Sequence, residues 1–151
     1  MNRAAVWVAT LGPVGWWPAG PGTLASALVA LAWWGIGPSR VATLVAAAAF
    51  TAVGLPAARA ADRDLGPDDG RIVIDEAAGM ALALSGVPPG IAGCLVALAL
   101  FRALDIGKPP AVSWCESVRG GPGVMLDDVV AGAIAALLGA AAFALWPALG
   151  S

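Results

Sequence analysis

Four long stretches without a charged side chain, residues 4–39, 41–58, 77–101 and 129–151, alternate with two short stretches that hold nearly all the charge. Of the 18 charged residues, nine fall within 59–76 and seven within 102–128, leaving only Arg3 and Arg40 outside. Apolar runs punctuated by polar turns predict an all-α fold, a compact bundle of four or five apolar membrane helices with one polar end.

Turn and capping residues set the expected boundaries. A short or interfacial helix ends at the Trp16–Trp17 pair, and Pro18-Ala19-Gly20-Pro21-Gly22 makes a turn from which Thr23 caps a helix over 24–34. Ser39 caps a helix over 40–64 that is weakened near Gly54 and Pro56. The segment 71–74 reads as extended, with Asp75 capping a helix over 76–84. Gly86-Val87-Pro88-Pro89-Gly90 turns the chain into a helix over 91–104, and a short helix is expected over 111–118. Gly120-Gly121-Pro122-Gly123 is read as a turn opening the last helix, 124–146, so that Asp127 and Asp128 fall in its first turn. Gly132, four residues beyond Asp128, leaves a gap on the helix where a neighbour can approach.

Composition turns this pattern into a membrane reading. A hydrophobic content of 60% and a mean hydropathy of +0.84 lie well above the roughly 45–50% apolar usage of soluble domains. A chain of 151 residues fits a single domain, 1–151. Alternating crossings gather Arg59, Arg63, Arg71, Arg102, Lys108 and Arg119 on one side and leave Arg40 on the other, so the charged side faces the cytoplasm. The expected location is a bacterial inner (cytoplasmic) membrane, crossed several times. A net charge of −2 without basic runs excludes nucleic acid as a partner. Two separated cysteines and no histidine exclude zinc centres and Cys–His nucleophiles; Cys94 is expected in the core.

The charged end carries the chemistry. Asp75, Glu76, Asp105, Asp127 and Asp128 are hard oxygen donors unaccompanied by nitrogen or sulfur ligands, the donor set of Mg²⁺ or Mn²⁺. Arg102, Lys108 and Arg119 supply positive charge, and arginine can grip a phosphate through two hydrogen bonds. Backbone N–H groups of Gly120 and Gly121 add donors at a helix start. Taken singly these features have plainer explanations: Asp75 as a cap, Arg102 and Asp105 as a structural i,i+3 pair, and Asp62, Asp64, Asp68 and Asp69 as solvated loop charges.

Four motifs, in order, resemble the phosphatidylglycerophosphatase A family: Pro21-Gly22-Thr23 with Ser26, Ile74-Asp75-Glu76 with Gly79, the run from Phe101 through Arg102, Asp105 and Lys108 to Pro110, and GGPGVMLDDVVAG at 120–132. Ala25 and Leu104 depart from the family pattern, both at packing positions. The resemblance implies a Mg²⁺-dependent hydrolase that removes the terminal phosphate of phosphatidylglycerophosphate, a membrane lipid, to give phosphatidylglycerol for phospholipid biosynthesis. It implies one or two Mg²⁺ on Asp75, Glu76, Asp105, Asp127 and Asp128 as the catalytic set. Arg102, Lys108, Arg119, Thr23, Ser26, Gly120 and Gly121 then bind substrate.

Two rivals belong to other classes. A non-enzymatic membrane protein that binds or transports cations would use the same carboxylates, but it leaves the arginine, lysine and glycine-turn apparatus without a role. A phosphotransferase acting on CDP-activated alcohols would need an Asp-Gly-x-x-Ala-Arg signature, whereas Asp69-Gly70 runs directly into Arg71.

Overall fold

The computed structural model describes residues 2–67, 69–113 and 121–146. These form an all-α bundle of seven helices: α1 (Arg3–Ala9), α2 (Pro21–Ile36), α3 (Arg40–Leu65), α4 (Ile74–Leu84), α5 (Ile91–Gly107), α6 (Pro110–Ser113) and α7 (Gly121–Leu145), with a single 3-10 turn at Val14–Trp16. No strand occurs among the described residues. The segment expected to be extended before Asp75 is instead a turn and an irregular link into α4.

Helix α4 is the hub. Its alanine-, leucine- and methionine-rich sequence has high helix propensity, and Asp75 and Glu76 in its first turn oppose the positive end of the helix dipole. Nine of its eleven residues are buried, so it is enclosed almost all round. One core cluster, with Met80, Phe101, Ala97 and Ala131, lies on its α2, α5 and α7 side. The other, with Ile74, Ala78, Ala58, Val6 and Met125, lies on its α1 and α3 side. Alanine is the commonest residue in both, and glycines at the crossings let helices approach closely, so packing of backbone on backbone replaces large interdigitating side chains.

The closest approach joins α4 to α7. A Cβ added at Gly132 would overlap the carbonyl oxygen of Gly79 and lie 2.9 Å from Gly79 Cα; one added at Gly79 would fall 2.5 Å from the Asp128 carbonyl oxygen and 2.6 Å from the Phe101 ring. Farther along, a Cβ at Gly86 would overlap the Ala136 backbone. The gap expected beside Gly132 is thus filled by the backbone of α4.

Several boundaries differ from those expected, for local reasons. Helix α2 starts at Pro21, capped by Gly20 in the left-handed region (φ 67°), because proline is preorganised for a first helical position; Thr23 sits inside the first turn rather than capping it. Val73, not Asp75, is the N-cap of α4. Helix α7 begins at Gly121, inside the expected glycine turn, which moves Asp127 and Asp128 from the first to the second turn. Helix α5 runs on to Gly107, and α6 ends its described part at Ser113. Pro56 is accommodated without ending α3, and Ser39 caps that helix as expected, its Oγ accepting from Ala42 N–H at 3.2 Å.

Two helices, Arg40–Leu65 and Met125–Leu145, are long and apolar enough to cross a membrane, and only 28% of each apolar window is buried. A core helix of a soluble protein would be mostly covered; here Val45, Val53, Leu137, Leu138 and Leu145 are exposed, which is the surface a bilayer solvates. The shorter α4, at about 1.5 Å per residue, reaches only part of that thickness. Its Asp75 end lies with the end of α5 and the start of α7. The hairpin at 85–90 lines a cavity of about 70 Å³ at the opposite end, together with Trp33 and Arg40.

The α4–α7 crossing makes a stability prediction. Gly132→Val should cost about 1–3 kcal/mol or more through overpacking, read as a lower unfolding midpoint of the detergent-solubilised protein. Gly35→Ala, where an added Cβ meets nothing within 4 Å, should change stability by no more than about 1 kcal/mol. Equal midpoints for the two variants would refute the close crossing.

Candidate active site

The site lies where four helix ends meet. The first turn of α4 delivers Asp75 and Glu76, the second turn of α7 delivers Asp127 and Asp128, the last two turns of α5 deliver Arg102 and Asp105, and the first turn of α2 covers them from the side. Ligand oxygens of Asp75, Glu76 and Asp128 all lie within 4.8 Å of one another, with Asp75 and Asp128 buried and Glu76 half-buried. Asp105 stands close enough to act on both Glu76 and Asp128.

Local bonding orients these carboxylates. Asp75 Oδ1 accepts from Glu76 N–H at 3.0 Å, and Asp127 Oδ1 accepts from Asp128 N–H at 3.1 Å. Asp127 turns its other oxygen to Lys108 Nζ, 3.6 Å away. Lys108 holds a positive φ of 42° at the end of α5, a conformation that costs a non-glycine residue roughly 1 kcal/mol or more and recurs where a side chain must be aimed. Arg102 Nη1 donates to Asp105 Oδ2 at 2.5 Å, so the i,i+3 pair forms. That pairing leaves the guanidinium Nε–H buried without a partner.

The electrostatics are strained toward a cation. Burial, and then the charge of Glu76, pushes the Asp75 carboxyl well above the usual carboxylate range; burial is also the chief cause of the rise at Glu76. Glu76 Oε2 is buried with no hydrogen-bond partner. Three acidic oxygen donors, crowded and only partly satisfied, fit a hard divalent cation. By contrast Asp69 is held below the usual range by its hydrogen bonds from Arg71. It accepts from Arg71 Nε at 2.7 Å, while Arg71 also stacks 4.7 Å from the centroid of the Trp16 ring.

The remaining candidates are placed as follows. Thr23 is exposed in the first turn of α2, and Ser26 is buried with its hydroxyl donating to Gly22 carbonyl at 2.9 Å. Gly121 opens α7. Arg119 and Gly120, like Asp68 and Cys115, lie outside the described residues. Cys94 is a free, buried cysteine, as expected of a core position. Gly22 was legible as part of a motif but not in its position: a Cβ there would overlap Glu76 Oε1 and lie 2.7 Å from Glu76 Cδ.

The sequence matches one family and several named relatives. The sequence profile of the family described as Phosphatidylglycerophosphatase A matches residues 7–143. A Bacteroides thetaiotaomicron protein, named provisionally as a phosphatidylinositol-3-phosphatase, is 40% identical over 91 residues, 58% of this chain and 57% of that protein. Phosphatidylglycerophosphatase A of Escherichia coli is 38% identical over 87 residues, 56% of this chain and 51% of the relative. Its namesake from Haemophilus influenzae is 40% identical over 73 residues, 47% and 45% of the two chains. The matched stretch therefore spans about half the length of these relatives. No solved structure matches the chain significantly.

Like-charge crowding predicts opposite responses to one substitution. In excess chelator, Asp75→Asn should unfold at the same temperature as the wild type or higher, because one buried charge is gone. With added Mg²⁺ the wild-type midpoint should rise, as for any ligand that binds the folded state, and the variant's should not. A variant that gains as much from Mg²⁺ as the wild type would remove Asp75 from the cation site.

Proposed function

The chain belongs to the phosphatidylglycerophosphatase A family, and from that premise we propose that it hydrolyses phosphatidylglycerophosphate to phosphatidylglycerol and phosphate in a Mg²⁺-dependent reaction of phospholipid biosynthesis. The observation that carries this reading is the Asp75, Glu76 and Asp128 cluster facing an arginine whose Nε–H is unspent, at the polar end of a bundle with exposed apolar helices. Cation and phosphate sites side by side at a lipid surface suit a lipid phosphate monoester. The Bacteroides relative's name also specifies a lipid phosphate monoester. The family and two further relatives favour the glycerophosphate headgroup.

Asp75, Glu76 and Asp128 would hold the ion, with Asp105 and Asp127 beside them as reserve ligands or as holders of the basic groups. A bound Mg²⁺ would neutralise phosphoryl charge and make a coordinated water more acidic. Arg102, fixed through Nη1 by Asp105, presents a planar fork to the phosphoryl oxygens. Lys108, fixed by Asp127, adds a point charge on the same side. Thr23 offers an exposed hydroxyl, and the backbone N–H groups of Gly22 and Thr23 stand at a helix start that no side chain caps. Arg119, Gly120 and Gly121 are assigned to substrate from the motif at whose start they lie. Together these groups stabilise charge on the transferring phosphoryl group, where most catalysis of this reaction class resides. The acyl chains stay on the exposed apolar faces of α3 and α7. In the inner membrane this arrangement turns the polar end toward the cytoplasm.

Phosphate release from phosphatidylglycerophosphate in detergent is the test. Activity should vanish in excess EDTA and return with Mg²⁺, and Asp75→Asn, Asp127→Asn and Asp128→Asn should each lose activity by orders of magnitude. Asp64→Asn, whose native carboxylate serves Asn2 N–H at 2.6 Å, should stay within a few-fold. Arg102→Lys should fall mainly in kcat, since the fork and not the charge is lost. Full activity in EDTA, or equal mildness of Asp127→Asn and Asp64→Asn, refutes the reading. In sealed right-side-out vesicles a cysteine at position 69 should resist an impermeant label; labelling there refutes the cytoplasmic orientation.

A further inference from the structure

Glu76 reaches the carboxylate cluster through a space that exists only because residue 22 has no side chain. Gly22 is buried in the first turn of α2, and a Cβ there would overlap Glu76 Oε1, lie 2.7 Å from Cδ and 3.3 Å from Cγ. Glu76 Oε2 is buried and unpartnered, so no bond anchors that oxygen against such pressure. Position 22 is fixed in turn: its carbonyl accepts the hydroxyl of the fully buried Ser26 at 2.9 Å, and Ala25 beside it is buried as well.

We infer that Gly22 is a positioning residue for the cation site, the wall whose absent side chain lets Glu76 complete the cluster with Asp75 and Asp128. This rests on the proposed function above, in which that cluster binds a divalent cation. The obstructed atoms are the far end of a flexible side chain and not backbone, so a methyl at position 22 is relieved by swinging the Glu76 carboxylate away. The bundle survives and the ligand leaves. Ser26, assigned to substrate from the motif, has its hydroxyl hydrogen committed to Gly22 and acts on the site through that turn.

A double-mutant cycle with Mn²⁺ as the probe, its binding to the detergent-purified protein followed by electron paramagnetic resonance, separates this from a general packing defect. Gly22→Ala should weaken Mn²⁺ binding about tenfold or more while leaving the unfolding midpoint in EDTA nearly unchanged. Gly35→Ala, on the same helix with open space at its Cβ, should bind as the wild type. In a Glu76→Asp background, where the side chain is one methylene shorter, Gly22→Ala should have no further effect beyond about twofold. Wild-type affinity in Gly22→Ala overturns the inference while leaving the cation site standing. An equal loss in both backgrounds also overturns it, because the effect would not pass through Glu76. If Gly22→Ala fails to fold, the Gly22→Ala/Glu76→Asp protein decides: folding and binding like Glu76→Asp supports the inference, and failure overturns it. A wild type that binds no Mn²⁺ overturns both this inference and the cation reading beneath it.

Discussion

Everything at the polar end depends on how closely the backbones of α4 and α7 approach. With a side chain at Gly79 or Gly132 the two helices would stand apart, and the oxygens of Asp75, Glu76 and Asp128 could not share a space 4.8 Å across. Glycine in a helix interior costs about 1 kcal/mol relative to alanine, and helices α2, α3, α4 and α7 all accept that cost at interior contacts. The return is proximity. In a bundle with so few large core side chains, tight backbone contact supplies the dispersion energy that interlocking side chains supply elsewhere.

Proximity also creates the site's central tension. Buried carboxylates that repel one another oppose folding, and the structure offsets this only partly: Lys108 faces Asp127, Arg102 faces Asp105, and the backbone N–H groups of Glu76 and Asp128 serve the preceding aspartates. Glu76 Oε2 and Arg102 Nε remain without partners. One unsatisfied acceptor and one unsatisfied donor mark where an incoming cation and an incoming anion would each find a vacant bonding direction. The frustration is confined to one end, while the opposite end of α4 is packed with Met80, Ala83 and Leu84.

Much of this was legible in the sequence because charge in an apolar chain is conspicuous. The uneven distribution of 18 charges marks the polar end, and the gap beside Asp128 is visible in Gly132 four residues on. Less legible were features set by a partner distant in sequence. Nothing local to Ala77–Leu84 marks it as the enclosed hub, since a short apolar helix looks alike at a bundle's centre and its edge. Thr23 looked like a cap because its hydroxyl suits one, yet the preceding Gly20-Pro21 pair had already started the helix. The division of the five carboxylates, three in one cluster, Asp105 paired with Arg102 and Asp127 turned to Lys108, follows from helix phase and from the start of α7 at Gly121, which propensity alone places poorly.

The covering segment at the start of the chain has a consequence for how the protein is made. Ala9 carbonyl accepts from Val73 N–H at 2.9 Å, Asn2 N–H donates to Asp64, and Gly15 lies under the Arg71 carbonyl so closely that a Cβ there would overlap it. These contacts join residues more than fifty positions apart, so α1 cannot complete its packing, on Ala57, Ala58 and Ala61 of α3 and on the link at 72–73, until the chain through residue 73 has been synthesised. Until then its apolar face, with Val6 and Ala9, lacks part of its cover. Closing so long a loop carries an entropy cost that grows only slowly with length but slows the search. The link before Asp75 is therefore tied to α1 only once α3 has been made, so the segment that leads into the carboxylate cluster depends on contacts distant in sequence.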